Sequence, residues 1–241
     1  MVKKTKDAII AEEGAAPDLS IKHWLFPQIN DEGFKFVAIA ACMSALLAFA
    51  WWFLGLIGLG LTVWVYLFFR DPERYAPSGP RLVVSPADGT VCRIDREIAP
   101  PAELDIGDAP MQRVCVFMSV FNVHVNRSPV AGEIVKTVYV PGKFLNASMD
   151  KASDDNERSL MLLREENTGA ELVVVQIAGL VARRIVLWAS AGETLERGQR
   201  FGLIRFGSRL DVYLPKDAEI AVRLGQTMVA GETVVARLGK G

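Results

Sequence analysis

The most prominent pattern in the chain is a long uncharged stretch between two chemically different regions. From Phe36 to Phe69, 34 consecutive residues contain no charged side chain. Residues 1–35 form a polar and charged tail, whereas residues 70–241 alternate short Val- and Ile-rich runs with Gly, Pro and Asp. The pattern therefore predicts three parts: a polar tail at 1–35, an apolar membrane anchor at 36–69 and a β-rich domain at 70–241.

The apolar segment is too long for one untilted helix and short for two full crossings, because each crossing needs about 20 residues. Three glycines between positions 55 and 60 weaken a helix there, and Trp51 and Trp52 favour a membrane interface. We predict a helical hairpin with helices at about 36–52 and 56–69 that enters or crosses the bilayer. Basic residues on both flanks favour two cytoplasmic ends. One alternative is a single long tilted helix. A buried hairpin in a soluble protein is less favoured, because such a hairpin needs a polar face toward solvent and the uncharged run has none.

The region after the anchor has the pattern of a mainly β domain, either a barrel or a sandwich. Two segments within it, 192–198 and 225–234, share a glycine-punctuated rhythm that is similar to the flattened barrels of biotinyl and lipoyl carriers. Those carriers present a modifiable lysine on a hairpin tip. Met228 and Val229 stand near that position instead, which argues against a carrier function. The predicted strands are 81–85, 89–95, 112–120, 132–140, 160–165, 171–178, 184–188, 201–206, 209–213 and 231–238.

Charge and composition exclude several function classes. The net charge of −1 gives no overall positive field for nucleic acid. The three cysteines show no metal-ligand spacing, and two histidines in the whole chain argue against a metal site. The first 30 residues contain no short apolar run followed by a cleavage site, so we expect no removable signal peptide.

The Gly207-Ser208 step is a candidate for self-cleavage because it joins two β-type runs and places a hydroxyl after a small residue. The Ser208 hydroxyl would attack the Gly207 carbonyl and shift the acyl group from nitrogen to oxygen. Elimination and hydrolysis would then leave a pyruvoyl group, a ketone that accepts electrons during decarboxylation of an amine substrate. Alternatively, Gly-Ser is simply a turn, where both residues are common.

Four further motifs accompany this step, at 70–74 (R-D-P-E-R), 85–89 (S-P-A-D-G), 123–129 (V-H-V-N-R-S-P) and 178–185 (A-G-L-V-A-R-R-I). Together these motifs closely resemble the short bacterial form of phosphatidylserine decarboxylase. The resemblance covers nearly everything from Phe69 to the C-terminus, and the motifs are specific as an ordered set. The sequence departs from longer family members, which carry two histidines in an H-x-x-H-x-P pattern where this chain has one.

The resemblance implies a proenzyme cut between Gly207 and Ser208 into chains 1–207 and 208–241, with the pyruvoyl cofactor formed from Ser208. It also implies that Asp88, His124 and Ser208 act together in cleavage, since a carboxylate-oriented imidazole activates a serine hydroxyl. The same His124 is expected to return a proton to the decarboxylated carbon. The product would be phosphatidylethanolamine, and no metal is required.

Further expectations concern the lipid and the surroundings of the site. Arg183 and Arg184 are candidates for binding the substrate phosphate, because guanidinium groups form forked hydrogen bonds with phosphate oxygens. Arg70 and Arg74 are expected to anchor the chain at anionic lipid. The polar connection 142–158 is either a functional lid or disordered.

The resemblance places the enzyme at the bacterial inner membrane, with its catalytic domain on the cytoplasmic face and a possible homo-oligomeric state. Two other classes remain open. One is a membrane-bound serine hydrolase that uses Ser208, His124 and Asp88, although the chain lacks G-x-S-x-G around this serine. The other is a membrane-tethered β-barrel that binds partners through the 142–158 loop without catalysis.

Overall fold

In the computed structural model, the described residues are 27–145, 155–179, 184–205 and 207–239. Two compact units divide the chain between Glu73 and Arg74. The first contains two apolar helices, and the second contains every β-strand. The expectation of a mainly β protein with an N-terminal helical hairpin is confirmed.

Helices α1 (Phe34–Ala50) and α2 (Trp52–Phe68) are joined by one extended residue, Trp51, with φ −154° and ψ 127°. A single extended residue between two helices reverses the chain and produces the hairpin. The predicted boundaries differ from the observed ones, because α2 runs through the glycines that were expected to interrupt it. By length and composition, one helical stretch, Asp31–Ala50, is sufficient to cross a membrane, and α2 is shorter.

Two of the three glycines of α2 serve helix packing, whereas Gly60 has open space around it. A Cβ at Gly55 would lie 2.4 Å from Ala48 Cβ, and one at Gly58 would lie 2.7 Å from Ser44 Oγ. Small residues of this kind let membrane helices approach closely. Ser44 Oγ and Thr62 Oγ1 are 2.9 Å apart across the same contact. The outer surfaces of both helices remain apolar and exposed, as an anchor in lipid requires.

The second unit is built from three antiparallel sheets. An eight-stranded curled sheet has the order β13-β2-β3-β11-β7-β6-β5-β9, and two three-stranded sheets have the orders β1-β14-β12 and β4-β10-β8. The strands are β1 Leu82–Val84, β2 Gly89–Ile98, β3 Met111–Met118, β4 Val125–Arg127, β5 Gly132–Val140, β6 Arg158–Glu165, β7 Glu171–Ala178, β8 Ile185–Leu187, β9 Thr194–Leu195, β10 Arg200–Ile204, β11 Ser208–Leu214, β12 Glu219–Ile220, β13 Thr227–Met228 and β14 Val234–Arg237.

All ten predicted strands are present within a few residues of their predicted bounds. Four short strands were missed: β4, β9, β12 and β13. Each has only two or three residues, which is too few for an alternating pattern to be recognised. Their positions are set by pairing with longer strands.

The two glycine-punctuated segments occupy equivalent places at opposite edges of the large sheet. Strand β9 in the first segment pairs with the start of β5, and β13 in the second pairs with the start of β2. Each partner strand follows a Ser-Pro turn, at Ser85 and at Ser128. Each of these serines donates its hydroxyl to the carbonyl two residues later. The repeated rhythm therefore reflects an internal structural repeat, while the proposed likeness to lipoyl carriers is not confirmed.

The main core lies on one face of the eight-stranded sheet and includes residues of both small sheets. Along the central strand β11, Leu210, Val212 and Leu214 face this core. Tyr213 belongs to a second apolar cluster on the opposite face. Because successive side chains alternate between the faces of a strand, Ser208 points toward the main core and Arg209 points away from it.

Candidate active site

Ser208 is the first residue of β11 and is fully buried. Its strand is hydrogen-bonded on both sides: Ser208 lies opposite Met118 of β3 and opposite Ala178 of β7. The Ser208 Oγ atom has no hydrogen-bond partner among the described residues. A buried hydroxyl without a partner costs about 1–3 kcal/mol, so its presence at this position requires a functional explanation.

Gly207 takes a backbone conformation that favours glycine. Its φ is +69°, in the left-handed region, where a side chain costs about 1–2 kcal/mol. A Cβ at this position would meet only Val120 Cγ1 at 3.7 Å, so backbone strain and not crowding selects glycine here. The chain therefore turns sharply at the bond that was predicted to break.

His124 contacts the residue that precedes this bond. The Gly207 N–H group donates a hydrogen bond to His124 Nε2 at 3.2 Å, and His124 Nδ1 lies 2.9 Å from the Asn122 carbonyl oxygen. Because an N–H can only donate and a carbonyl can only accept, both contacts require the neutral tautomer with its proton on Nδ1. The Nε2 lone pair therefore accepts from the backbone amide of Gly207, the residue before Ser208.

The turn before His124 explains this orientation. The Asn122 Oδ1 atom accepts hydrogen bonds from the Ser119 backbone N–H and from the Ser119 hydroxyl, both at 2.8 Å. The turn thereby fixes the carbonyl that holds the imidazole. The sequence pointed to His124 but not to this orienting group, because a backbone carbonyl leaves no signature in the residue pattern.

Asp88 is nearly buried between two other partners. Its Oδ2 atom accepts from Arg74 NH2 at 2.9 Å, and its Oδ1 atom accepts from the Ala230 backbone N–H at 2.7 Å. The expectation for Arg74 as a lipid anchor is therefore wrong, since its guanidinium is committed to this carboxylate. The joint action of Asp88 with His124 and Ser208 stays a prediction.

Two buried amides also lie on the Ser208 face. Gln176 Nε2 donates to Asn126 Oδ1 at 2.8 Å, and Asn126 Nδ2 approaches Met118 Sδ at 3.7 Å. Gln176 Oε1 has no hydrogen-bond partner within the described part of the chain. Gln176 stands out in the sequence as the one glutamine among the valines and isoleucine of β7, but the sequence-based prediction did not include it.

Of the two arginines predicted to bind phosphate, the structure describes Arg184. Arg183 lies outside the described residues, as do positions 146–154 of the predicted lid. Arg184 is exposed, and its carbonyl accepts from the Arg205 backbone N–H at 3.2 Å. Arg184 therefore stands beside the segment that leads to Gly207. Within the described ranges, no group of three potential metal ligands occurs.

The opposite face of β11 carries a dense ionic network. Arg209 Nε donates to Asp211 Oδ1 at 2.8 Å, and Arg113 NH1 lies 3.7 Å from Asp211 Oδ2. Arg113 also donates to Asp95 at 2.7 Å. A cleft of about 730 Å³ borders this network on the outer side of the sheet. It is separated from Ser208 by the sheet itself.

The site thus combines a buried serine, a preceding glycine with positive φ and an imidazole nitrogen that accepts from the N–H group of that glycine. The sequence matches the family model described as phosphatidylserine decarboxylase over residues 61–236. It is also 59% identical over 210 residues to the phosphatidylserine decarboxylase proenzyme of Ruegeria pomeroyi, covering 87% of this chain and 95% of that protein. The chain belongs to the phosphatidylserine decarboxylase family, and the resemblance inferred from the motifs is confirmed.

Proposed function

We propose that this chain is a proenzyme that cleaves itself between Gly207 and Ser208 and then decarboxylates phosphatidylserine to phosphatidylethanolamine and CO2. The carboxy-lyase class follows from the family. The observation that supports the cleavage site is the contact between the Gly207 N–H group and the unprotonated Nε2 of His124.

In the first step, Ser208 Oγ attacks the Gly207 carbonyl carbon while its proton passes to His124 Nε2. The carbon–nitrogen bond of the peptide then breaks as the Ser208 nitrogen takes up a proton, which leaves an ester. Removal of the Ser208 Cα proton expels the Gly207 carboxylate from Cβ. Addition of water and loss of ammonia convert the remaining unit to a pyruvoyl group. Only water is consumed and only ammonia is released.

The surroundings of Ser208 fit such a group. The buried Oγ has no hydrogen-bond partner among the described residues, which supports a hydroxyl that stays available for reaction. Once formed, the pyruvoyl group supplies an electron-accepting carbonyl for the substrate amine. His124, whose ring is fixed by the Asn122 carbonyl, is positioned to hold the proton that returns to the substrate carbon.

The fold explains how the two products of cleavage stay together. Residue pairs join β11 to β3 from Ser208 to Leu214 and to β7 from Ser208 to Tyr213. Strands β13 and β14 of the same C-terminal segment pair with β2 and β1. Chain 208–241 would therefore remain a central part of the β unit after the bond breaks, with its new N-terminus held in place.

The membrane anchor accounts for access to substrate. A diacyl lipid leaves the bilayer only at a cost of about 0.8 kcal/mol per CH2, so the enzyme must act at the surface. The apolar hairpin 34–68 supports attachment to the bacterial inner membrane, with the β unit on the cytoplasmic face. Arg183 and Arg184 are proposed to bind the lipid phosphodiester. Homo-oligomer formation stays a prediction.

The proposal is tested by intact-mass analysis of freshly expressed protein beside Ser208→Ala. Wild type should give fragments that meet at 207/208, the smaller one carrying a borohydride-sensitive carbonyl at its N-terminus. Ser208→Ala should remain a single chain and release no CO2 from phosphatidylserine. An uncut wild-type chain that still decarboxylates the lipid would overturn the proposal. Labelling of wild type by a fluorophosphonate would instead indicate a serine hydrolase.

A further inference from the structure

Exposed aromatic and apolar side chains gather at the end of the large sheet where Ser208 begins β11. Met118, Ser208 and Ala178 lie side by side in three neighbouring strands there. Strands β3 and β7, which flank β11, both end at this row. We call this the Ser208 end. Its described segments are 119–122, 139–145, 155–157, 179, 184–185 and 205–208, with position 206 omitted.

Phe121 is the most exposed of these aromatic side chains, with 71% of its surface accessible. It lies in the turn that fixes His124, and Asn122 donates its backbone N–H to the Ser119 carbonyl at 3.0 Å to close that turn. A phenylalanine that is mostly exposed is costly in water, because its apolar surface stays hydrated. The turn therefore presents the ring outward beside the catalytic imidazole.

Two more exposed apolar side chains belong to the same end. Tyr139 is 57% exposed, and Leu145 is 38% exposed next to the buried Asn156 that donates to the Ala178 carbonyl. The basic residues Lys143 and Arg184 are exposed nearby. Burial of its hydroxyl and the hydrogen bond that this hydroxyl donates to Glu157 raise the pKa of Tyr139, and the charge of Arg184 opposes this rise.

The opposite end of the sheet has a different character. Its connections, at 105–110, 165–171 and 215–218, expose no large apolar side chain. Exposed charged residues of both signs occur there: Asp105, Asp108, Glu166, Lys216 and Asp217. The Ser208 end also has an exposed carboxylate at Asp155, so the two ends differ in their exposed apolar side chains and not in the sign of their charges. Aromatic rings are enriched at membrane interfaces. The two ends thus differ in the way expected of a protein that meets a bilayer with one end.

We propose that the Ser208 end is the surface by which the β unit contacts the bilayer, with Phe121 inserted among the lipid headgroups. This inference rests on the proposed function, because it places the reactive residue at the depth of a lipid substrate. The helical hairpin keeps the β unit near the membrane through the chain connection. A contact of a few residues is then sufficient, since tethering raises its effective concentration.

The contact is tested with an environment-sensitive fluorophore on a single cysteine of the full chain. Cys42→Ala and Cys92→Ser remove the exposed native thiols, and Cys115 is buried. The label is placed at Phe121→Cys or, as a matched exposed control at the other end, at Asp108→Cys. Vesicles of phosphatidylcholine and phosphatidylglycerol in equal parts should shift the emission of the first label to the blue. Spin-labelled lipid should quench the first label and not the second.

Equal behaviour of the two labels would overturn the inference, whatever the outcome of cleavage at 207/208. Failure of wild type to cleave would instead count against the proposed function alone. In the active enzyme, Phe121→Ser should raise KM for phosphatidylserine in vesicles about tenfold while self-cleavage proceeds as in wild type. Leu224→Ser, which changes an exposed apolar residue elsewhere, should leave KM unchanged.

Discussion

The two faces of strand β11 differ in how completely their polar atoms are satisfied. On the outer face, Arg209 and Asp211 form two hydrogen bonds with each other, and Arg113 adds a second cation. On the inner face, Ser208 Oγ and Gln176 Oε1 are buried with no hydrogen-bond partner in the described ranges. Ser208 and Arg209 are neighbours in one strand, yet Arg209 is hydrogen-bonded to Asp211 and Ser208 Oγ has no hydrogen-bond partner among the described residues.

The difference distinguishes polar groups that stabilise the fold from a polar group that is left available for reaction. Buried charges persist when they are paired, because an unpaired one costs several kcal/mol. A reactive hydroxyl, in contrast, must stay available to form a new bond. We therefore expect the ionic network to stabilise the sheet, and the inner face to carry a local cost in stability at the proposed site of reaction. Three experiments test this division.

The largest effect is expected from removing the base on the inner face. His124→Gln retains a donor for the Asn122 carbonyl but has no basic lone pair. Self-cleavage should slow by about 10²–10⁴-fold, the usual contribution of a general base, while thermal stability changes little. Pulse-labelled translation followed by denaturing electrophoresis measures the rate. Cleavage within tenfold of wild type would assign the base to another group.

A change on the outer face should affect stability and not chemistry. Asp211→Asn leaves Arg209 and Arg113 buried without their shared carboxylate, and the free energy of unfolding should fall by about 3–5 kcal/mol. Urea unfolding of cleaved protein gives this quantity. Replacing both members of the pair, with Arg209→Met and Asp211→Leu, should recover most of the loss. An Asp211→Asn chain that is stable but uncut would contradict the expectation that the outer face serves stability and the inner face serves cleavage.

The smallest effect concerns pH. Burial tends to raise the pKa of Asp95, but hydrogen bonds from Arg93 and Arg113 outweigh it, and the pKa is lowered. A lowered folded pKa stabilises the protein above the unfolded value of about 3.9, and this contribution is lost as pH falls through the folded pKa. The Tm of wild type should therefore drop below about pH 4 more steeply than that of Asp95→Asn. Parallel Tm profiles would show that the ion pairs of Asp95 do not contribute to stability at low pH.

Sequence patterns predicted the long elements well and the short ones poorly. Strands such as β5 and β7 were found because eight or nine residues show a clear run, while β4 and β13 were not. The glycines of α2 misled the helix boundary, since intrinsic propensity weakens a helix at glycine but packing against Ala48 and Ser44 favours it.

The sequence by itself determined the uncharged anchor, the β-rich region, the Gly207-Ser208 step and the family, because these depend on residue type and order along the chain. Tertiary structure alone decided which nitrogen of His124 carries the proton, that Asp88 binds Arg74, and which face of β11 carries buried polar atoms without a partner among the described residues. These properties arise from three-dimensional placement, since His124 meets the Asn122 carbonyl two residues away and the Gly207 amide 83 residues away. No linear pattern encodes which carbonyl, guanidinium or amide a side chain will meet.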